Sequence, residues 1–251
     1  MRALFRDASY YFLYSGKWLL LFLLALFGVQ YVVASEGAEF GLSAMEAWVT
    51  IVLRDSGLAI DYAKFQFPFM WVLIHYVPIM AFSNAFWKDH TNNGVYLITQ
   101  AGSRGRYFGA AAVSGIVLCV LLQAVEAVLL LLASLLVGGA EWARGYEFFL
   151  RIHAFIALEN SVLIVLLNML ALYFGYRVGM ISVLLWLGFV TLVPFQGLLG
   201  SGSLVFRQDV VDPMGYGWGG NLAVCAVYAL IAAGLYLWRA KTYDFYSEVL
   251  S

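Results

Sequence analysis

The stretch FGAAAVSGIVLCVLLQAVEAVLLLLASLLV, residues 108–137, decides the fold class. Its thirty residues carry one charged side chain, Glu126. A helix needs about 20 mostly apolar residues to cross the roughly 30 Å hydrocarbon core of a bilayer. This run is longer, so it predicts a spanning helix that tilts or protrudes. Five more runs qualify, at about 18–34, 66–87, 155–175, 178–200 and 219–238. The whole chain agrees, with 63% hydrophobic and only 12% charged residues. A soluble domain has roughly half its residues apolar and about a quarter charged. So little charge cannot cover a folded surface in water, and lipid must be part of the solvent. The expectation is an all-α membrane protein, one transmembrane domain over 1–251 with six transmembrane helices and no internal repeat.

Orientation follows from Lys and Arg near the helix ends. One side of the predicted bundle holds Arg2, Arg6, Lys17, Lys88, Arg104, Arg106, Arg177, Arg239 and Lys241. The other holds Arg54, Lys64, Arg144, Arg151 and Arg207, together with Glu36, Glu39, Glu46, Asp55, Asp61, Glu141, Glu147, Asp209 and Asp212. That bias predicts a plasma-membrane protein with both termini cytoplasmic. The leader ALFRDASYYFLYSGKW reads as an interfacial helix that turns Phe5, Tyr11, Phe12 and Trp18 toward lipid. Its length and amphipathic character favour an uncleaved first helix over a signal peptide.

Several chemistries are excluded or unsupported. A net charge of −1 gives nucleic acid no basic face. Cys119 and Cys225 fall inside apolar runs and read as small buried residues. His75, His90 and His153 have no metal-site spacing, and no H-E-x-x-H occurs. The G-S-G-S at 200–203 has no His or acid near it in sequence, so it reads as a chain bend rather than a nucleophile. The chain also lacks G-x-x-x-x-G-K-[ST], since Gly16-Lys17 is followed by Trp18. No cofactor is expected on this chain.

Polar groups inside the spans are costly and therefore candidates for function. Gln123 and Glu126 lie three apart on one helical face, and Asn160 and Asn168 lie eight apart on another. With His75 and Glu159 they define a possible substrate route or dimer interface. The competing reading is hydrogen-bonded glue between helices, on the order of 1 kcal/mol each.

Two outer segments break the pattern. LSAMEAWVTIVL, residues 42–53, has helical spacing and should cap the bundle or lie along the membrane surface. PFQGLLGSGSLVFRQDVVDPMGYGWGGN, residues 194–221, is too apolar for a free loop and too broken for a span. It predicts short outer helices between helices 5 and 6, re-entrant or superficial, which would serve as a gate or a lid.

The remaining interruption is NNGVYLITQAGSRGRY, residues 92–107, between the second and third spans. Asn92 or Asn93 can cap a short helix from Gly94, with Val95, Tyr96, Leu97 and Ile98 as its apolar surface. Gly102 and Ser103 would end it. This loop resembles the one between the second and third helices of ABC-2-type permeases, the membrane subunits of ATP-binding cassette exporters. The matching residues are Asn93, Gly94, Leu97, Thr99, Ser103, Arg104 and Tyr107. Asn92 departs from the family's usual Glu, and Ala101-Gly102 from its usual Pro-Val-like pair. The resemblance implies that the loop is a cytoplasmic coupling helix, with Tyr96 added to the docking set from the local reading. It implies a separate nucleotide-binding ATPase subunit carrying ATP and Mg, and a second permease subunit, identical or homologous. The cargo would be hydrophobic or amphipathic: a peptide, lipid or drug moved outward. The alternative is a non-transporting immunity or sensor protein that binds a peptide or lipid at its outer face.

Overall fold

The computed structural model describes residues 2–53, 67–137, 145–215 and 217–243, with side chains for all of these except 2–12, 15, 51, 52 and 206. Among them the elements are helical: α1 (Arg2–Glu39), α2 (Ala44–Ala47), α3 (Phe69–Ala101), α4 (Arg104–Val137), α5 (Tyr146–Phe174), α6 (Tyr176–Leu192) and α7 (Trp218–Thr242). A π-helical turn, Trp48–Val52, follows α2, and two 3₁₀ turns, Ser201–Ser203 and Val205–Arg207, precede α7. Five helices are long and apolar enough to cross a membrane: α1 from Gly16, α3, α4, α5 and α7. The chain is thus built as a multi-pass membrane protein.

Three expectations about elements need correction. The interfacial leader and the first span are one continuous helix, α1. The lipid-facing places of Phe5, Tyr11 and Phe12 lie outside the described side chains, while Trp18 is exposed. The fifth span, expected over 178–200, stops at Leu192 after 17 residues. Pro194 explains the stop: it has no N–H to continue the ladder, and it drives Val193 out of the α region, to φ −112° and ψ 112°. Finally, residues 92–101 are not a separate helix. They are the last turns of α3, and Asn93 donates to the Asp89 side chain within that helix (2.9 Å) instead of capping a new one.

α5 sits at the centre, packed against α3, α4, α6 and α7. It buries Phe149, Ile152, Phe155, Ile156, Leu163 and Leu167 on several faces. α1 and α7 are peripheral and expose Leu20, Leu21 and Leu24, or Val227, Leu230 and Ile231. Lipid tails are as apolar as these side chains, so close packing and hydrogen bonds, not water exclusion, must hold the helices together. Gly179 permits α6 to approach the α5 backbone closely: a Cβ there would lie 3.1 Å from both the Leu167 carbonyl oxygen and the Ala171 nitrogen of α5.

The two ends of the bundle are built differently. At the end holding Lys17, Lys88, Arg104, Arg239 and Lys241, here the basic end, aromatic rings from α3, α4 and α7 converge. Phe86, His90, Phe108 and Tyr243 meet there, with Tyr107 stacked on His90 at 5.8 Å and 18°. Gly102, at φ +74°, ends α3 in the left-handed conformation that glycine adopts without strain. Ser103 then accepts from the Arg106 N–H at 3.2 Å and caps α4, making a tight corner. At the opposite, far end, Ser43 and Glu46 form a reciprocal capping box that starts α2. Met45 and Trp48 bury completely beneath it, so 42–53 caps the bundle.

Substituting Gly179→Leu should destabilise the protein by about 1–3 kcal/mol, because the neighbouring groups are backbone and cannot rotate aside. Gly188→Leu, with open space around it, should change stability by less than about 0.5 kcal/mol. Unfolding of both variants in detergent micelles checks the comparison.

Candidate functional site

Prolines set up the polar chemistry of the far end. Pro78 lies inside α3 and cannot donate to the carbonyl of Ile74 four residues earlier. Asn160 of α5 supplies the missing donor, its Nδ2 lying 3.4 Å from that carbonyl oxygen. Its Oδ1 then accepts from His75 Nδ1 at 2.6 Å. With Nδ1 thus protonated, the other ring nitrogen is an acceptor, and the Ser203 hydroxyl lies 3.1 Å from it. Ser203 Oγ accepts in turn from Trp71 Nε1 at 2.8 Å. Each donor faces an acceptor from Trp71 through Ser203, His75 and Asn160 to Ile74.

Glu159 completes the cluster. Its Oε1 accepts the Ser203 N–H at 3.1 Å, and its Oε2 lies 3.6 Å from His75 Nε2. Glu159 is fully buried. The turn at 200–203 comes close enough for this only because Gly200 takes φ +100° and Gly202 has no side chain; a Cβ on Gly202 would collide with Asn221 of α7.

Pro194 has a parallel consequence at the end of α6. It orphans the carbonyl of Val190, and the helix end leaves others open. Arg207, fully buried, donates through Nη1 to Val190 O and Val193 O (3.0 Å each) and to Ser201 Oγ (3.1 Å), and through Nη2 to Thr191 O (3.0 Å). Sequence reasoning counted Arg207 only as an outer charge. The signal was present in Pro194, which leaves a buried carbonyl in need of a donor.

The order Ser203, His75, Asn160 is that of a nucleophile, a base and an orienting group. The sequence reading found no His or acid for this serine; the fold brings both to it. All four polar side chains, Glu159 included, are fully buried, and the hydroxyl already accepts from Trp71. The arrangement leaves no open position for a reacting atom. What it does is fasten the turn at 200–203 to α3 and α5.

The other polar candidates separate into two further clusters rather than one seam. Gln123 Nε2 donates to Glu126 Oε2 at 2.6 Å, and Gln123 Oε1 lies 3.1 Å from His153 Nδ1. Gln30 of α1, which sequence reasoning missed, donates to the Glu126 backbone carbonyl at 3.2 Å. This cluster ties α1, α4 and α5. Asn168 Oδ1 accepts from Ser83 Oγ at 2.6 Å and from Trp87 Nε1 at 3.1 Å, joining α5 to α3 nearer the basic end. Among the described residues no group of His, Cys, Asp and Glu is arranged to hold a metal ion.

The docking candidates divide by exposure. Asn93, Tyr96, Ser103 and Arg104 face outward, Tyr96 at 64%. Gly94 and Leu97 turn inward, and Tyr107 is buried in the aromatic cluster. Arg104 Nη1 reaches the Lys241 carbonyl at 3.4 Å, tying the corner to α7. Compared with known proteins, the chain matches no family model, no curated protein and no solved structure.

Because Asn160 serves the carbonyl that Pro78 frees, the two positions should be coupled. Asn160→Ala should cost about 1–3 kcal/mol in the native background. In a Pro78→Ala background the Ile74 carbonyl regains its helical donor, and the cost should fall by roughly 1 kcal/mol. A double-mutant cycle read by unfolding in micelles measures this; additive effects would show that the two residues act separately.

Proposed function

We propose that this chain is the membrane subunit of an ATP-driven exporter of the ABC-2 permease type. It would move a hydrophobic or amphipathic substrate outward, with ATP hydrolysis on a separate cytoplasmic subunit supplying the free energy. The observation that carries the reading is the corner between α3 and α4. α3 has 33 residues, roughly 50 Å at about 1.5 Å each, against a hydrocarbon core of about 30 Å. Its last turns therefore stand outside the bilayer, with Val95 and Tyr96 exposed. They end on the capped Gly102–Ser103 corner rather than on a free loop.

Such a corner is a rigid docking element. Tyr96 provides the apolar anchor, while Asn93, Ser103 and Arg104 provide polar contacts around it. Motion imposed there passes along α3, whose far half carries Trp71 and His75. These two side chains hold Ser203. A tilt of α3 thus displaces the re-entrant turns over the outer end of the bundle, which act as the gate. A second permease subunit, identical or homologous, completes the route.

A second reading is favoured by one observation at the far end. A cleft of about 440 Å³ there is lined by Tyr146, Phe148, Arg151 and Trp218 among others. It fits a non-transporting protein that binds a peptide or lipid at its outer face.

Purification of the intact protein from its native membrane should recover a P-loop ATPase with it; recovery without one counts against the exporter reading. Tyr96→Asp should preserve the fold, since the side chain is exposed. It should lower substrate-stimulated ATP hydrolysis about tenfold, the loss expected for an aromatic anchor. Unchanged coupling would remove the docking assignment.

A further inference from the structure

A cleft at the basic end has a ligand chemistry of its own, independent of the exporter reading. α1 and α6 each pack on α3, and the cleft they border with it holds about 840 Å³. That volume lies within the roughly 300–1,000 Å³ of small-molecule sites. Met80, Ala81 and Met180 form its half-buried interior, and Lys17, Lys88 and Asn84 its exposed rim. The Lys88 ammonium sits 4.7 Å from the centre of the Tyr14 ring of α1. Tyr14 and Lys17 are three residues apart and share a helical face, so both ammonium groups belong to one mouth.

The cleft changes character with depth. Met80 precedes Lys88 by eight residues, about 12 Å along α3. Lys17 stands where the apolar part of α1 begins, at Gly16. Trp18 beside it is exposed, as aromatic residues at membrane interfaces are. Positive charge at the headgroup level, continued by an apolar wall at the acyl level, is the pattern that matches an anionic amphiphile. A free soluble anion would use the rim and leave the wall empty.

We propose that this cleft binds an anionic phospholipid, with its phosphate between Lys17 and Lys88 and an acyl chain along Met80 and Met180. The lipid is a resident ligand that wedges α1 and α6 on α3.

Native mass spectrometry of the full chain tests this, with protein released from micelles containing phosphatidylglycerol, phosphatidylcholine of the same chains, or glycerol phosphate. One phosphatidylglycerol per chain should be retained in preference to the other two. Lys17→Arg/Lys88→Arg should keep it, and Lys17→Gln/Lys88→Gln should weaken retention about 25-fold, roughly fivefold per lysine. Ala81→Trp should also abolish retention by filling the interior with both charges in place. Equal retention of phosphatidylcholine, or retention indifferent to the glutamine pair or to Ala81→Trp, would overturn the proposal. Glycerol phosphate bound as tightly as the lipid would assign the rim to a free phosphate instead. Dimers that dissociate in the glutamine variant without loss of lipid would make a second copy the occupant.

Discussion

A backbone carbonyl that has lost its helical donor finds no water in the hydrocarbon core, so another part of the protein must supply the hydrogen bond. Pro78 and Pro194 each create that demand, on Ile74 and Val190. Asn160 answers the first and Arg207 the second. The far end is organised around these two replies. Asn160 orients His75, His75 and Trp71 hold Ser203, and Ser203 meets Glu159. Arg207 then fixes the following turn under the end of α6. Two backbone defects have become the attachment points of the segment between α6 and α7.

This attachment gives the transport reading its mechanical content. α3 is one helix from the far-end cluster to the exposed Tyr96, and it is joined at both ends. Its basic end is bound through aromatic rings to α4 and α7, and through the Gly102–Ser103 corner to α4 again. Its far end is bound to the turn at 200–203. An element so connected transmits displacement instead of absorbing it. The buried Glu159 is better explained here as a fastener than as a reactive acid, since its Oε1 accepts the Ser203 N–H.

Much of the fold was legible in the sequence because the bilayer imposes a length rule that a run of apolar residues must obey. Residues 108–137 announce α4, and the spacing of Leu42, Met45 and Trp48 announces a capping helix. The glycine-broken run at 194–221 announces short outer turns. The misreadings have physical causes. Hydrophobicity continues past Pro194, so composition alone carried α6 to 200, whereas the missing proline N–H ends it at Leu192. Asn92 and Asn93 have capping chemistry, but nothing before them breaks α3, and a helix in progress does not need a cap. Leu97 looked available on a short helix and turns inward once its register is set by α3. The site was hardest to see because Ser203 and His75 are 128 residues apart and Ser203 and Glu159 44. Local spacing can align Gln123 with Glu126, but only the packing of α3, α5 and the 200–203 turn brings the other groups together.

The central claim is that the exposed end of α3 is where a separate ATPase subunit pushes. A photo-crosslinking amino acid at position 96, activated in native membranes and mapped by mass spectrometry, tests it most directly. The account predicts an adduct between this position and a P-loop ATPase subunit, with a yield that changes when ATP is added. Adducts confined to lipid, or to proteins without a nucleotide-binding fold, would contradict it.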